Sequence, residues 1–159
     1  MTTEIVIPKV EFTPPIDFEE WLKEHDASIY AVDFCRERGF DFMRCWNECP
    51  YSDWMLWLLS RLKVEADISY RLFACWCVRQ VWHLLTDERS RNAVIISEKY
   101  ALGQATEKEL DAARDAAMAA ARAAAMDAAW AAARDAEWAA AAEAQSDKLR
   151  EIFIPTTEE

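Results

Sequence analysis

The sequence predicts an all-α protein: a bundle of short helices packed on a long Ala-rich C-terminal helix, with an extended N-terminal arm. Three observations predict it. The 159 residues include only two Gly, and the five Pro all fall outside the segments with helical periodicity. Capping residues recur at the start of one apolar-periodic segment after another. The last third is Ala-dense, and Ala is the strongest helix former.

Residues 1–16 read as the arm. Glu4 to Phe12 is β-branched and interrupted by Pro8, which suits an extended arm or edge strand, and Pro14-Pro15 keeps the chain extended. Residues 17–103 read as the short-helix bundle. Asp17, with Glu20 three residues on, caps a first helix running to about His25. Ser28 caps a second through Arg38, stopped by Gly39. Asp41 to Cys49 fits a third, ended by Pro50. Ser52 or Asp53 caps a fourth, Trp54 to Leu62, which is apolar nearly all round and therefore buried on most sides. Asp67 caps a fifth from Ile68 to Leu85, and Thr86 a sixth from Asp87 to Leu102, closed by Gly103.

Residues 104–154 read as the long helix, one compact unit with 17–103. Thr106 and Glu109 form a capping box, and no Gly or Pro follows until Pro155. Bulky residues fall at every fourth position: Leu110, Arg114, Met118, Arg122, Met126, Trp130, Arg134 and Trp138. Four residues turn about 400°, so this row drifts about 40° per step and is not a heptad stripe. Arg134 lies four residues from both Trp130 and Trp138, a spacing that permits a guanidinium between two indoles. About 45 helical residues make a rod of roughly 70 Å, against roughly 40 Å for a compact globule of this length. The rod therefore bends, projects, packs on a second copy through residues 106–153, or serves as the spine for the chain's own helices.

The formal net charge of −11 argues against nucleic acid, whose phosphates require clustered Lys and Arg. An acidic surface suits a basic protein partner. Five cysteines cannot all pair within one chain, and the N-terminus lacks the pattern of a secretion signal. Reduced thiols in a cytoplasm are expected. Asp and Arg recur through the Ala runs, so no membrane span is expected. The C-x3-C pair Cys45/Cys49 and the C-x-C pair Cys75/Cys77 do not have the usual zinc spacing, and no metal or other cofactor is expected.

No nucleophile elbow or Gly-rich phosphate loop is present, so the sequence reads as a non-enzyme. Arg71, Arg79, Trp82, His83, Arg89 and Arg91 group basic and aromatic residues in an otherwise acidic chain. They can receive a phosphate-bearing small molecule, or they can neutralise nearby acids and brace the turn between the fifth and sixth helices. Trp54, Trp57 and Trp76 lie in apolar runs and read as core. Trp21, Met118, Met126, Trp130, Arg134 and Trp138 read as interface residues, where aromatic anchors dominate binding.

Four stretches together carry a resemblance. They are Cys49-Pro-Tyr-Ser-Asp-Trp-Met-Leu-Trp-Leu-Leu59, Leu72-Phe-Ala-Cys-Trp-Cys77, Val81-Trp-His-Leu-Leu-Thr-Asp-Glu-Arg-Ser-Arg91 and the tail ending Gln145-Ser-Asp-Lys-Leu-Arg-Glu-Ile152. In order and spacing, over roughly residues 44–152, the chain resembles the Ala-rich, all-helical, immunity-protein-like family of bacteria and their phages. The resemblance implies an all-α fold and no known activity; the immunity label, taken at its word, implies a binding role in defence or counter-defence. Such a protein inhibits a protein partner by occlusion or, alternatively, acts as a sponge that sequesters a nucleotide-like signalling molecule in a Trp/Arg-lined pocket.

Overall fold

The computed structural model describes residues 5–124 and 141–157, without the side chains of 121–124. The described residues are mostly helical. In chain order they form β1 (Val10–Phe12), α1 (Phe18–Glu24), α2 (Ile29–Arg36), α3 (Phe42–Glu48), α4 (Ser52–Arg61) and α5 (Asp67–Gln80). A 3₁₀ turn (Trp82–Leu84), α6 (Glu88–Ala101), α7 (Glu107–Ala124), α8 (141–152) and β2 (Phe153–Pro155) follow. No helix among them is long and apolar enough to cross a membrane.

Local chemistry sets most helix starts. The Asp17, Ser28 and Asp41 side chains accept from the N–H groups of Glu20, Ala31 and Arg44, meeting donors that the first turn leaves open. At α7 the box is reciprocal: Thr106 N–H donates to Glu109 Oε2 at 2.8 Å, and Glu109 N–H donates to Thr106 Oγ1 at 3.3 Å. Three starts differ from expectation. The fifth helix begins at Asp67 itself, the residue expected to cap it. The fourth helix is preceded by Tyr51, which makes no side-chain cap, instead of by Ser52 or Asp53. The sixth is capped by Asp87, not Thr86, because the Asp87 carboxylate reaches Arg89 N–H at 2.8 Å. The fifth helix stops at Gln80, and the chain tightens into the 3₁₀ turn before Leu85.

The expectation of an all-α chain is corrected by a two-stranded parallel sheet. Val10 pairs with Phe153, Glu11 with Ile154 and Phe12 with Pro155. Pro155 explains why the last helix ends at residue 152 and does not continue to 154. A residue before proline is pushed out of the helical region, so Ile154 is extended. Thr156 N–H then donates to Phe12 O at 2.8 Å. Strand alternation turns Phe12, Phe153 and Pro155 inward and Glu11 and Ile154 outward.

The chain divides into two compact units. One holds β1, α1 to α4, α8 and β2. Its centre is aromatic: Phe12 meets Trp46 edge-on at 5.3 Å, Phe18 meets Phe42 at 5.0 Å, and Trp46 is 4% exposed. Ser146, Leu149 and Ile152 bury one face of α8. Arg150 on that helix donates from Nε to Trp46 O at 3.1 Å and from Nη2 to Cys49 O, satisfying carbonyls at the end of α3. Ser52 Oγ donates to Gln145 Oε1 at 3.0 Å.

The other unit holds the segment through Pro8 with α5, the 3₁₀ turn, α6 and α7, and α6 packs against both α5 and α7. Ser69 Oγ donates to Pro8 O at 2.8 Å. Along α7 the inward residues are Leu110, Ala113 and Ala120, with Ala117 half-buried between them. This seam has a three-four spacing, and the four-residue row drifts off it: Arg114 and Met118 are exposed. Leu110 and the alanines, not Arg114 or Met118, face inward. The expectation of one unbroken helix over 106–153 turns on 125–140, which lie outside the described residues.

Candidate interaction surface

The Ser28 cap fixes the start of α2, and helical spacing then puts Tyr30 and Phe34 on one face. Tyr30 is 75% exposed and Tyr51, just before α4, 47%. Tyr51 lies 4.3 Å from Trp54 between ring centroids, and Phe34 meets Trp54 edge-on at 5.9 Å and Tyr51 at 6.5 Å. Behind this cluster the Arg38 guanidinium stacks 3.6 Å from the Phe34 ring centroid. It also donates to Phe34 O at 2.9 Å and to Glu48 Oε2 at 2.8 Å, so Phe34 is held from both its ring and its backbone. Arg44, bonded to Glu48 at 3.0 Å, is the main cause that holds the Glu48 carboxyl below its usual range, and Arg38 adds to it.

Phe34 and Trp54 also line a cavity of about 50 Å³ that runs inward to Cys35, Cys45, Cys49 and Leu58. Its walls are apolar, so the arrangement suits desolvated apolar recognition. Among the described residues no group of three His, Cys, Asp or Glu side chains is placed to hold a metal ion.

The residues singled out from the sequence divide among several environments. Arg79 and Arg91 come together over Trp82, at 4.2 and 5.7 Å from its ring centroid. Arg79 is also paired with buried Glu98 through two bonds of 2.9 and 2.6 Å, which raise its pKa. Arg91 reaches Glu88 at 3.3 Å, and its buried Nε has no hydrogen-bond partner among the described residues. Arg89 is engaged by Asp87, whose carboxyl it holds down at about 2. Arg71 stacks on Tyr100 at 4.9 Å, and His83 lies exposed on the 3₁₀ turn.

Trp21 is half-buried, stacked on His25 at 4.1 Å with Trp57 edge-on at 5.9 Å. Met118 is 55% exposed. Met126, Trp130, Arg134 and Trp138 lie outside the described residues. Trp54, Trp57 and Trp76, read as core, are half-buried, while Trp46 is the deeply buried indole.

Sequence reasoning missed Tyr30 and Tyr51. A signal for each existed. Tyr30, exposed, and Phe34, half-buried, are an i, i+4 aromatic pair on a short helix with acids beside it. Tyr51 occupies a position where a capping Ser or Asp would serve the helix better, and a broken local rule marks functional surface. No family model, curated protein or solved structure matches the chain.

Proposed function

We propose that this chain is a non-catalytic binding protein of bacterial or phage defence or counter-defence that inhibits a protein partner by occlusion, acting in a reducing cytoplasm. The observation that carries the reading is the ring cluster of Phe34, Tyr51 and Trp54, with exposed Tyr51 at its edge and exposed Tyr30 one turn from Phe34 on α2. Tyr and Trp on a firm backing are the side chains that supply most of the energy of protein interfaces. The resemblance over residues 44–152 supports the same class of role. The partner's chemistry follows from charge. Asp33, Glu37 and Asp53 lie on the elements that carry the rings, and the chain's net charge is −11. An apolar socket with a basic rim fits this surface.

The test is affinity purification of the tagged chain from its host beside the Tyr30→Ala/Tyr51→Ala variant, followed by binding measurements with the purified partner. We expect a stoichiometric partner held by the unaltered chain and an affinity loss of roughly tenfold or more in the variant. Binding should weaken as salt rises. Equal affinity of the two proteins would sink the reading. Native mass spectrometry adds a third arm: a homo-oligomer as the sole assembly would make a second copy the occupant and remove the inhibitor.

One observation favours the sponge as a second reading. The unpartnered Arg91 Nε lies in the group where Arg79 and Arg91 face Trp82. A phosphate oxygen would satisfy it while a base stacked on the indole. A rise in Tm with a purine nucleoside monophosphate or a cyclic dinucleotide, lost in Arg91→Met, with the ligand recovered intact, would establish it.

A further inference from the structure

The cavity beneath the aromatic cluster holds chemistry that the binding reading does not use. Cys35 closes the last turn of α2, and Cys45 lies in the middle of α3. The linker between them turns through Gly39 and Phe40, both left-handed at φ of 65° and 54°, and folds α3 back onto α2. As a result Cys45 Sγ lies 4.0 Å from Cys35 O, which brings the two residues together at one wall of the cavity. Both side chains are buried, and both are free thiols. Both line the apolar cavity of about 50 Å³, well above the roughly 10–15 Å³ that one water-sized molecule needs. A small neutral oxidant fits; a bulky thiol reductant does not.

We propose that Cys35 and Cys45 form a peroxide-sensitive dithiol, a modification site at which hydrogen peroxide or a small hydroperoxide converts the pair to an intramolecular disulfide. The environment assigns the roles. The Cys35 thiol, as hydrogen-bond donor, is the main cause that lowers the pKa of Cys45. Arg38 adds its charge, and burial, Asp41 and Glu48 oppose. The bond to Cys45 and then burial push Cys35 up. Burial raises Cys49, Cys75 and Cys77, the last to about 11, so Cys45 alone of the five is shifted toward the thiolate. A thiolate is the species that reacts with peroxide.

The Cys45 thiolate attacks one peroxide oxygen. The O–O bond breaks, hydroxide leaves, and Cys45 becomes a sulfenic acid. The Cys35 sulfur then attacks the Cys45 sulfur, and the S–O bond breaks. Hydroxyl leaves as water with the Cys35 proton. Two electrons pass from the thiol pair to the peroxide, which ends as two waters once the hydroxide takes up the proton that Cys45 released.

The test uses the full reduced chain. It is treated with hydrogen peroxide, blocked with iodoacetamide, digested without reductant and mapped by mass spectrometry. The expected product is a peptide pair joined between Cys35 and Cys45, abolished by dithiothreitol. Cys45 should be consumed roughly tenfold faster than Cys49 or Cys77. In Cys35→Ser the second step is blocked, and dimedone should trap sulfenic acid on Cys45. Recovery of both thiols alkylated at doses that oxidise Cys49 or Cys77 would overturn the proposal. So would a Cys45–Cys49 link or a disulfide between two chains. The unaltered protein decides the matter if Cys35→Ser does not fold.

Discussion

The two units of this chain solve the problem of a small core in different proportions of large and small side chains. The unit of β1, α1 to α4, α8 and β2 builds its core around large rings, Trp46, Phe42, Phe12 and Phe153, with Leu59 and Leu149 among its other buried groups. The unit of α5, α6 and α7 mixes a few large buried groups, Leu72, Phe73 and Leu110, with small ones, Ala101, Ala113 and Ala120. It also keeps a charged pair, Arg79 with Glu98, inside the packing. Large aromatic rings gain by burial and by edge-to-face geometry but leave a void when cut. Alanine gains little per residue, so an Ala-packed unit depends more on its caps and ion pairs. The same difference places the reactive features. The cavity lined by thiols lies among the large side chains, whereas the other unit gathers half-buried Arg79, Trp82 and Arg91 around its 3₁₀ turn.

The comparison predicts a graded response to substitution. Trp46→Ala should be the most damaging single change, costing about 3–5 kcal/mol in urea unfolding, because an indole packed against Phe12 and Phe42 leaves a hole that helices cannot close. Hydrogen exchange should show the loss among the amides of α3 and α8 before those of α6 and α7. Equal loss in both would mean that the units do not unfold separately. Next comes the ion pair. Arg79→Met strands Glu98, which is 7% exposed, and should cost about 2–3 kcal/mol, below the range for fully buried pairs because Arg79 reaches solvent. Adding Glu98→Leu should return the protein to within about 1 kcal/mol of the original. A double variant as unstable as the single one would show that the pair itself, and not the stranded charge, holds the helices.

Much of the helical skeleton was legible because short-range chemistry wrote it. Asp17, Ser28, Asp41 and the Thr106/Glu109 box each meet their amides within three residues, and a rule of that reach needs no knowledge of the fold. What was not legible depends on distant partners. Nothing local to Phe153-Ile154-Pro155 says that Val10 to Phe12 is waiting to pair with it. The four-residue rhythm of the tail drew attention to Met118 and Arg114, yet the contact runs along Ala113, Ala117 and Ala120, whose small size is what allows close approach. Burial of tryptophans was misjudged for a similar reason. An apolar run says that a face is buried but not which indole points along it, and α3 with Trp46 won over α4 with Trp54 and Trp57. The candidate surface was half-legible: Trp54 was noticed as a core residue, and Tyr51 was hidden behind the expected Ser52 cap.

The remaining predictions probe the Ala-packed unit where its contributions are smallest. Thr106→Ala removes one half of the capping box at α7 and should cost about 1 kcal/mol, with fraying visible in the amide exchange of Glu109 and Leu110. The Asp87 cap of α6 is read more directly by pH. Its carboxyl accepts from the Arg89 side chain and backbone and sits at about 2, below the ordinary aspartate value of about 4. A depressed acid contributes stability that is fully present above its unfolded value and is lost as pH falls through its folded one. Asp87 therefore supports α6 at neutral pH and surrenders that support between about pH 4 and 2. Asp87→Asn keeps a capping oxygen but loses the charge, so its stability should approach that of the parent over the same interval. Parallel stability curves for the two proteins down to pH 2 would show that the Asp87 charge adds nothing, leaving the α6 start to its backbone geometry alone.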